Sequence, residues 1–264
     1  MKTQKPKEVF TRLGIMVEVY ESKVELGKAA AELVATRLSE AIKRQGQARA
    51  IFATGASQYE FLDALIQHQE VDWRRVTAFH LDEYLGMSDQ HPASFRRYLN
   101  ERLFSKLPFA AVNLLQGDAP DAQAECRRYA ALLEAGPLDI ACIGIGENGH
   151  LAFNDPPADF RSPNLVNVVN LDQKCRMQQV GEGHFPTLAD VPTQALSLSI
   201  PAILRAKTIS CVVPDTRKAE AVRCTLEGRL SRMCPGSVLR RHPDVHMYLD
   251  EGSASLLSAK TRKG

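Results

Sequence analysis

The run Leu138-Asp-Ile-Ala-Cys-Ile-Gly-Ile-Gly146 decides the fold class of this 264-residue chain. A short apolar run that ends in glycines is typical of a strand that is buried on both faces of a sheet. Similar apolar runs occur in both halves of the chain, at 48–53, 76–79, 112–115, 208–214 and 245–250. We predict that each of them is a strand.

Helical patterns separate these predicted strands. Apolar residues recur at helical spacing over 22–45, 57–68, 92–106, 121–135, 197–206 and 216–228, with Ser22 as N-cap of the first helix and a short helix at the C-terminus. The segment 155–190 is looser. The alternation predicts an α/β fold, a Rossmann-like three-layer open mostly parallel sheet with helices on both faces. No repeat or linker interrupts the chain, so residues 1–264 are expected to form a single domain.

The composition is that of an ordinary globular protein. Hydrophobic residues make up 44% and charged residues 24%, and the formal net charge is +2. So small a net charge creates no field that would attract nucleic acid or a membrane surface. No apolar run approaches the roughly 18 residues of a membrane helix, and the initial MKTQKPKEVF lacks the apolar core of a secretory signal. We therefore expect a cytoplasmic enzyme or small-molecule binder.

The cysteines show no metal-binding or redox spacing. They are Cys126, Cys142, Cys175, Cys211, Cys224 and Cys234, and no two form a C-x-x-C pair. Cys142 and Cys211 lie in apolar runs and are expected to be small buried hydrophobic residues. Cys175 lies in a polar run. An inert thiol is the favoured interpretation there, because a reactive one would need a lowered pKa.

Two polar clusters carry groups that bind anions. Ala53-Thr54-Gly55-Ala56-Ser57 leads from a strand into a helix, and it either offers backbone N–H groups and hydroxyls to an anion or forms only a tight turn. Its spacing differs from G-x-x-x-x-G-K-[ST], which argues against a nucleoside triphosphate. Asp215-Thr-Arg-Lys218 begins a later helix, where Lys218 either reaches a phosphate or stays solvated.

Two further clusters carry groups for proton transfer. Phe79-His-Leu-Asp-Glu-Tyr84 places adjacent carboxylates after a strand, where partial burial would raise the pKa of a general base; a solvated loop is the alternative. Gly144-Ile-Gly-Glu-Asn-Gly-His150 lets the backbone approach a ligand closely, and Asp155 would orient the imidazole if the chain turns; a structural histidine with satisfied hydrogen bonds is the alternative. Because ligands bind beyond the carboxyl ends of strands in such sheets, we expect all four clusters at one crevice.

Taken together and in this order, the four clusters resemble the glucosamine-6-phosphate deaminase/isomerase family. The resemblance extends from about residue 25 to 257 and includes His91-Pro-Ala-Ser94, the stretch 113–120 and Glu125-Cys-Arg127. Its most specific parts are the segment 139–154 and Asp82-Glu-Tyr84.

The resemblance implies a role for each site residue. Asp82 takes the position of the base that moves a proton between C2 and C1 of the opened sugar, and His150 that of the group that serves ring opening. Asp155 takes the place of the acid that supports this histidine, where the family usually has Glu. Asn148 stands where many members have Asp; an amide can hold an imidazole by a hydrogen bond but supplies no negative charge. Phosphate contacts are implied for Thr54, Gly55, Ala56, Ser57 and Lys218.

The departures from the family pattern concern the phosphate. The family has an Arg in a run like A-N-x-R-F-F, but the corresponding residues Gln178–Phe185 contain none near Gly181, and Arg176 matches a different family arginine. Such an arginine can bind a phosphate through two hydrogen bonds. Its loss is expected to weaken substrate binding or to change substrate choice. Ala56 is expected to constrain the turn more than Gly would. No allosteric pattern follows Pro156, so we expect no activation by an acetylamino sugar.

The resulting prediction is an amino-sugar-phosphate isomerase/deaminase that converts glucosamine 6-phosphate, or a close hexosamine phosphate, to a ketose 6-phosphate and ammonia. No ligand cluster implies a metal or organic cofactor. The expected partner is a small-molecule sugar phosphate, with no nucleic acid and no membrane, and the chain is compatible with a monomer or a homo-oligomer. One alternative is a 6-phosphogluconolactonase, disfavoured because Leu-Ala-Phe-Asn-Asp follows His150. The other is a non-catalytic sugar-phosphate sensor, for which no DNA-binding segment is present.

Overall fold

The computed structural model describes residues 5–263, so the first four residues of the segment searched for a secretory signal lie outside the described residues, as does Gly264. The described strands are β1 (Glu8–Arg12), β2 (Ile15–Tyr20), β3 (Ala48–Phe52), β4 (Val76–His80), β5 (Asp82–Tyr84), β6 (Ala111–Val112), β7 (Ile140–Ile143), β8 (Val166–Asn170), β9 (Gln194–Leu198), β10 (Thr208–Val213) and β11 (Val245–Asp250). The described helices are α1 (Lys23–Gln45), α2 (Tyr59–Leu65), α3 (Phe95–Leu99), α4 (Ala122–Glu134), α5 (Gln173–Gly181), α6 (Ile200–Ile203), α7 (Ala219–Glu227), α8 (Glu251–Ala254) and α9 (Ala259–Arg262).

The main sheet has eight strands in the order β1-β2-β11-β10-β7-β3-β4-β6. β1 pairs antiparallel with β2, and every other pairing in this sheet is parallel. Successive residues of β10 enter two separate apolar cores, Cys211 on one face and Val212 on the other. The sheet is therefore covered on both faces, which confirms the predicted three-layer α/β fold.

Local signals place the starts of α1 and α4 correctly. The Ser22 hydroxyl accepts from Glu25 N at 3.3 Å at the start of α1, and the Asp121 carboxylate accepts from the first turn of α4. Ser94 caps α3, which therefore begins three residues later than the expected helix and continues into one π-helical turn over 100–104. Side-chain caps fix these ends because they satisfy backbone N–H groups that the helix leaves free.

A second, three-stranded antiparallel sheet, β5-β9-β8, was not predicted. The expected helix over 197–206 is wrong in its first part, because 194–198 forms β9 and only 200–203 is helical. Four of the five β9 residues are buried, and a short apolar run has no period that separates a buried strand from a helix. The looser segment 155–190 contains β8 and α5, and β1 and β2 were also missed.

Five of the six cysteines are buried, and Cys224 is half-buried. Cys142 and Cys211 are buried in strands as predicted, and Cys126 and Cys175 are buried as well. Cys224 and Cys234 form a disulfide, a pairing that the sequence analysis did not propose. Among the described residues, no helix has the length and apolar character needed to cross a membrane.

Gly27 determines how closely α1 approaches α2. A Cβ at this position would lie 2.7 Å from the carbonyl carbon of Glu60 and 2.8 Å from the backbone nitrogen of Phe61. We predict that Gly27→Ala lowers the free energy of unfolding by about 1–3 kcal/mol, because backbone atoms cannot move aside as a side chain can. Chemical denaturation of both proteins measures the loss. Gly181→Ala is the control, since nothing described lies within 4 Å of its Cβ position; equal stability of the two variants would contradict the packing argument.

Candidate active site

One pocket lies at the carboxyl ends of β10, β7, β3 and β4, which are neighbours in the sheet. Each of these strands is followed by one of the four polar clusters, so the structure brings the clusters together as the sequence analysis expected. The pocket is lined by 53–58, Leu81, Asp82, Phe95, 144–146, His150, Ala152, Phe153, Gln178, Gln179, Glu182 and Lys218.

The turn after β3 forms one wall of this pocket. Gly55 has φ +100°, a left-handed conformation that favours glycine. Gln58 N donates to Gly55 O at 3.0 Å and closes the turn. Ala56 begins a 3₁₀ turn with ordinary helical geometry, so the constraint expected from an alanine there does not arise. Thr54 and Ser57 are half-buried beside the pocket.

Gln58 is a pocket residue that the sequence analysis did not single out. Its side chain is 1% exposed, and neither its Nε2 nor its Oε1 has a hydrogen-bond partner within residues 5–263. A buried amide without partners is costly unless a ligand or water completes its hydrogen bonds. The signal available in the sequence was a polar residue directly after the turn that we expected to bind an anion.

The two adjacent carboxylates have separate surroundings. Glu83 is fully buried and accepts from Ser94 Oγ at 2.7 Å, from Arg96 N at 2.9 Å and from two further backbone N–H groups. Burial raises the pKa of Glu83, while these hydrogen bonds oppose the rise. Glu83 therefore anchors the start of α3. Asp82 lines the pocket instead.

Asp82 is a desolvated carboxylate in the lining of the pocket. It is 6% exposed, and its burial raises its pKa well above the usual range, with the neighbouring Glu83 adding to the rise. A carboxylate with a raised pKa is a stronger base than one in water, which suits proton abstraction near neutral pH. His80, two residues earlier, is fully buried and accepts from Leu115 N at 2.8 Å, so its role is structural.

Glycines allow the loop after β7 to fold back on itself. Gly149 has φ +87°, and its N donates to Gly146 O at 3.0 Å. A Cβ on Gly146 would lie 2.2 Å from His150 Nε2, so only glycine leaves room for the imidazole. The imidazole ring thus lies close to the Gly146 backbone at the pocket wall.

Asp155 holds the His150 ring from the opposite side. Its Oδ1 lies 3.0 Å from His150 Nδ1 and accepts from Asn148 Nδ2 at 2.9 Å. Burial acts to raise the pKa of Asp155, but hydrogen bonds from His150, Asn148 and the Asp172 backbone outweigh it and hold the pKa below the usual range. An ionised acid in this position favours the tautomer with a proton on Nδ1 and leaves Nε2 for the pocket.

Asn148 makes no hydrogen bond to the imidazole, contrary to our expectation. Its Oδ1 accepts from the backbone N of His150 at 3.0 Å, and its Nδ2 bridges the carboxylates of Asp155 and Asp172. The amide therefore fixes the loop and the supporting acid. A carboxylate at 148 would face two other carboxylates here, which accounts physically for the amide.

Cys175 completes a cluster with His150 and Asp155, and one ligand atom from each lies within 4.8 Å of the others. Burial raises the pKa of the Cys175 thiol, and the nearby carboxylates of Asp155 and Asp172 raise it further. A metal prefers the thiolate, which this environment disfavours. Cys175 therefore has the environment of an inert thiol, and the absence of a metal or cofactor stays a prediction.

Lys218 enters the pocket from the loop after β10. Asp215 at the strand end has φ +90°, an uncommon conformation for a residue other than glycine, and its N–H donates to the Asp250 carboxylate. This turn directs Lys218 inward, where it is 2% exposed. Burial lowers the pKa of Lys218, while the carboxylate of Glu182 acts in the opposite direction.

Glu182 is the second pocket residue that the sequence analysis missed. It lies in the segment in which we noted only the missing arginine, and its Oε1 is 3.9 Å from Lys218 Nζ. Burial acts to raise the pKa of Glu182, but His184, Lys218 and Gln178 outweigh it and the pKa lies below the usual range. Arg176 instead donates to the carbonyl oxygens of Leu188 and Val191.

Comparison with known proteins relates the chain to a family. A family model described as "Glucosamine-6-phosphate isomerases/6-phosphogluconolactonase" matches residues 21–247. The chain is 38% identical over 237 residues to a glucosamine-6-phosphate deaminase of Streptococcus sanguinis (strain SK36), covering 90% of this chain and 97% of that protein. It is 37% identical over 240 residues to one of Bacillus thuringiensis (strain Al Hakam), covering 91% and 88%.

Solved structures agree with this comparison. A structure described as a monomeric glucosamine-6-phosphate deaminase superposes with a TM-score of 0.84 at 35% identity, covering 91% of this chain and 99% of that chain. A 6-phosphogluconolactonase from Shewanella baltica OS155 gives a TM-score of 0.73 at 20% identity, covering 89% and 97%. At that identity the second likeness concerns the fold alone.

The burial of Asp82 predicts a pH-dependent cost in stability. Because its pKa is raised in the folded state, the folded protein binds more protons than the unfolded chain at pH values above the usual pKa of aspartate. Stability therefore falls as the pH rises through this interval. We expect Asp82→Asn to become increasingly more stable than the wild type as the pH rises above the usual pKa of aspartate, measured by denaturant titration at each pH. The exposed Asp89 supplies the control variant Asp89→Asn; a stability difference for Asp82→Asn that does not change with pH would contradict the prediction.

Proposed function

Because the chain belongs to the family of glucosamine-6-phosphate isomerases and 6-phosphogluconolactonases, as its motifs predicted, we propose that it is an amino-sugar-phosphate isomerase/deaminase acting on glucosamine 6-phosphate or a close hexosamine phosphate. One observation carries the proposal. A desolvated carboxylate, Asp82, and a histidine oriented by an ionised acid, His150 with Asp155, line the same pocket as the buried Lys218.

Ring opening is the step we assign to His150. With a proton on Nδ1 directed at Asp155, Nε2 is the nitrogen available to the pocket. It would take the proton of the anomeric hydroxyl and return it to the ring oxygen as the C1–O5 bond breaks. Asp155 would stabilise the transient imidazolium, as carboxylates do in hydrogen-bonded pairs with histidine. Asn148 would act indirectly, through the position of Asp155.

Isomerisation is the step we assign to Asp82. Its carboxylate would remove the C2 proton of the open-chain amino aldehyde, giving an enolamine, and would return a proton to C1. The resulting imine at C2 takes up water and loses ammonia, which leaves a ketose 6-phosphate. A raised pKa favours this acid–base exchange, since the same group must accept and then donate a proton near neutral pH.

Phosphate binding is assigned to the turn Thr54, Gly55, Ala56 and Ser57 together with Lys218. The turn supplies N–H groups and hydroxyls at the start of a helical segment, and Lys218 supplies a positive charge with little competition from water. The unpaired amide of Gln58 adds a hydrogen-bonding group to the same wall. We further propose that residues 1–264 act as one domain in the cytoplasm, without a metal or organic cofactor.

Ammonia release tests the proposed activity. Purified protein would be assayed with glucosamine 6-phosphate, galactosamine 6-phosphate and free glucosamine, and with 6-phosphogluconolactone for the alternative hydrolase. Release of ammonia from one hexosamine phosphate would support the proposal and identify the epimer. Lactone hydrolysis without ammonia release would favour the lactonase, and binding of a hexosamine phosphate without any turnover would favour a sensor.

The role of Asp82 gives the sharpest prediction for activity. We expect Asp82→Asn to lower kcat about 10²–10⁴-fold, because an amide cannot accept the C2 proton, while the affinity for the sugar phosphate changes little. Turnover and ligand binding are measured separately, by coupled ammonia release and by calorimetry. Asp89→Asn, at an exposed carboxylate, is the matched control. Near-normal turnover by Asp82→Asn would refute the assignment of the base.

A further inference from the structure

Glu182 lies between the two groups to which we assign phosphate binding. Its Oε1 is 3.9 Å from Lys218 Nζ, and its Oε2 is 3.9 Å from the position that a Cβ would take on Gly55. The Glu182 side chain is 6% exposed, and Gln178 Nε2 donates to its Oε1 at 2.7 Å. The pocket thus contains an anion that the protein itself supplies.

The cation that directly precedes Lys218 in the sequence is already paired with other carboxylates. Arg217, the neighbour of Lys218, already pairs with Asp215 at 3.3 Å and with Glu147 at 3.7 Å. Like charges a few ångströms apart repel strongly where water is largely excluded. Glu182 and a phosphate dianion therefore compete for Lys218 rather than bind it together.

The backbone around Glu182 has room to move. Glu182 follows directly on the last residue of α5 and stands between two exposed glycines. Among the described residues, nothing lies within 4 Å of the Cβ position at either Gly181 or Gly183, and Gly183 has φ +80°. The glycine on each side of Glu182 therefore leaves space in which the backbone torsions next to Glu182 can change.

We propose that Glu182 is a specificity-determining residue that occupies the phosphate subsite of the free protein and must leave Lys218 before the phosphate of a substrate binds. This inference rests on the proposed function, because it takes the turn 54–57 and Lys218 as the phosphate subsite. Displacing Glu182 costs part of the binding energy of the phosphate. The protein therefore discriminates less strongly between a phosphorylated and a free amino sugar than it would with a neutral residue at 182.

Inorganic phosphate is the probe that isolates this effect from catalysis. Calorimetry would measure its Kd for the wild type, for Glu182→Gln and for Glu147→Gln. Glutamine preserves the size of the side chain and an oxygen that accepts from Gln178, and it removes the charge. We expect Glu182→Gln to bind phosphate about tenfold more tightly or better. Glu147→Gln is the control, because Glu147 also acts on the charge of Lys218 but is 37% exposed; its effect should stay below about threefold.

Kinetics provide the second measurement. Glu182→Gln should lower the KM for the phosphorylated sugar and leave the KM for the free amino sugar nearly unchanged. Phosphate binding that is unchanged, weakened or undetectable in Glu182→Gln, or a gain of equal size in Glu147→Gln, would overturn the inference. Failure of the proposed function gives a different result: no ammonia release by the wild type, with the gain in phosphate affinity of Glu182→Gln still present.

Discussion

The parallel pairing of β10, β7, β3 and β4 is the constraint on which the site depends. Their carboxyl ends lie at one edge of the sheet, so segments far apart in sequence meet in one pocket. β7 is central to this arrangement because it pairs with both β10 and β3 and is buried throughout. Any change in its register would move the loop that carries His150 relative to the turn after β3 and to Lys218.

The buried carboxylates of the site differ in whether hydrogen bonds compensate for their desolvation, and they therefore have different roles. Glu83 and Asp82 are adjacent and both buried, but Glu83 has its oxygens satisfied by the start of α3, whereas Asp82 faces the pocket. A buried carboxylate that lacks such partners destabilises the fold, and sites of this kind persist where a function needs them. Asp155 shows the opposite solution, since hydrogen bonds keep it ionised beside His150.

Tyr84 of the second sheet connects several of the segments that line the pocket. Tyr84, next to the carboxylate pair in β5, packs its ring 5.4 Å from Phe153 of the loop after β7 and 5.3 Å from Phe185 beyond α5. Its hydroxyl donates to Gln179 Oε1 at 2.8 Å on α5 itself. The helix that presents Glu182 at its end is therefore attached to the strand that presents Asp82. A movement of α5 on phosphate binding would be transmitted toward the proposed base.

The local pattern of the sequence determined the parallel strands β3, β4, β7, β10 and β11 of the main sheet, the starts of α1 and α4, and the four clusters. Buried strands such as 138–146 and capping residues such as Ser22 and Asp121 act through near neighbours in the chain, so their signals can be recognised without the fold. The glycines around His150 can also be recognised in the sequence. Only glycine lets the backbone approach the imidazole so closely.

Only the tertiary structure determined which strands pair in the second sheet and which side chains of the site lie next to one another. The second sheet escaped prediction because β9 is a short buried run whose partners, β5 and β8, lie far away in sequence. The contact of Glu182 with Lys218, the lack of partners at Gln58 and the position of Asn148 behind Asp155 depend on long-range packing. Burial and hydrogen-bond partners set the charge state of a side chain, and both arise only when distant segments fold against one another.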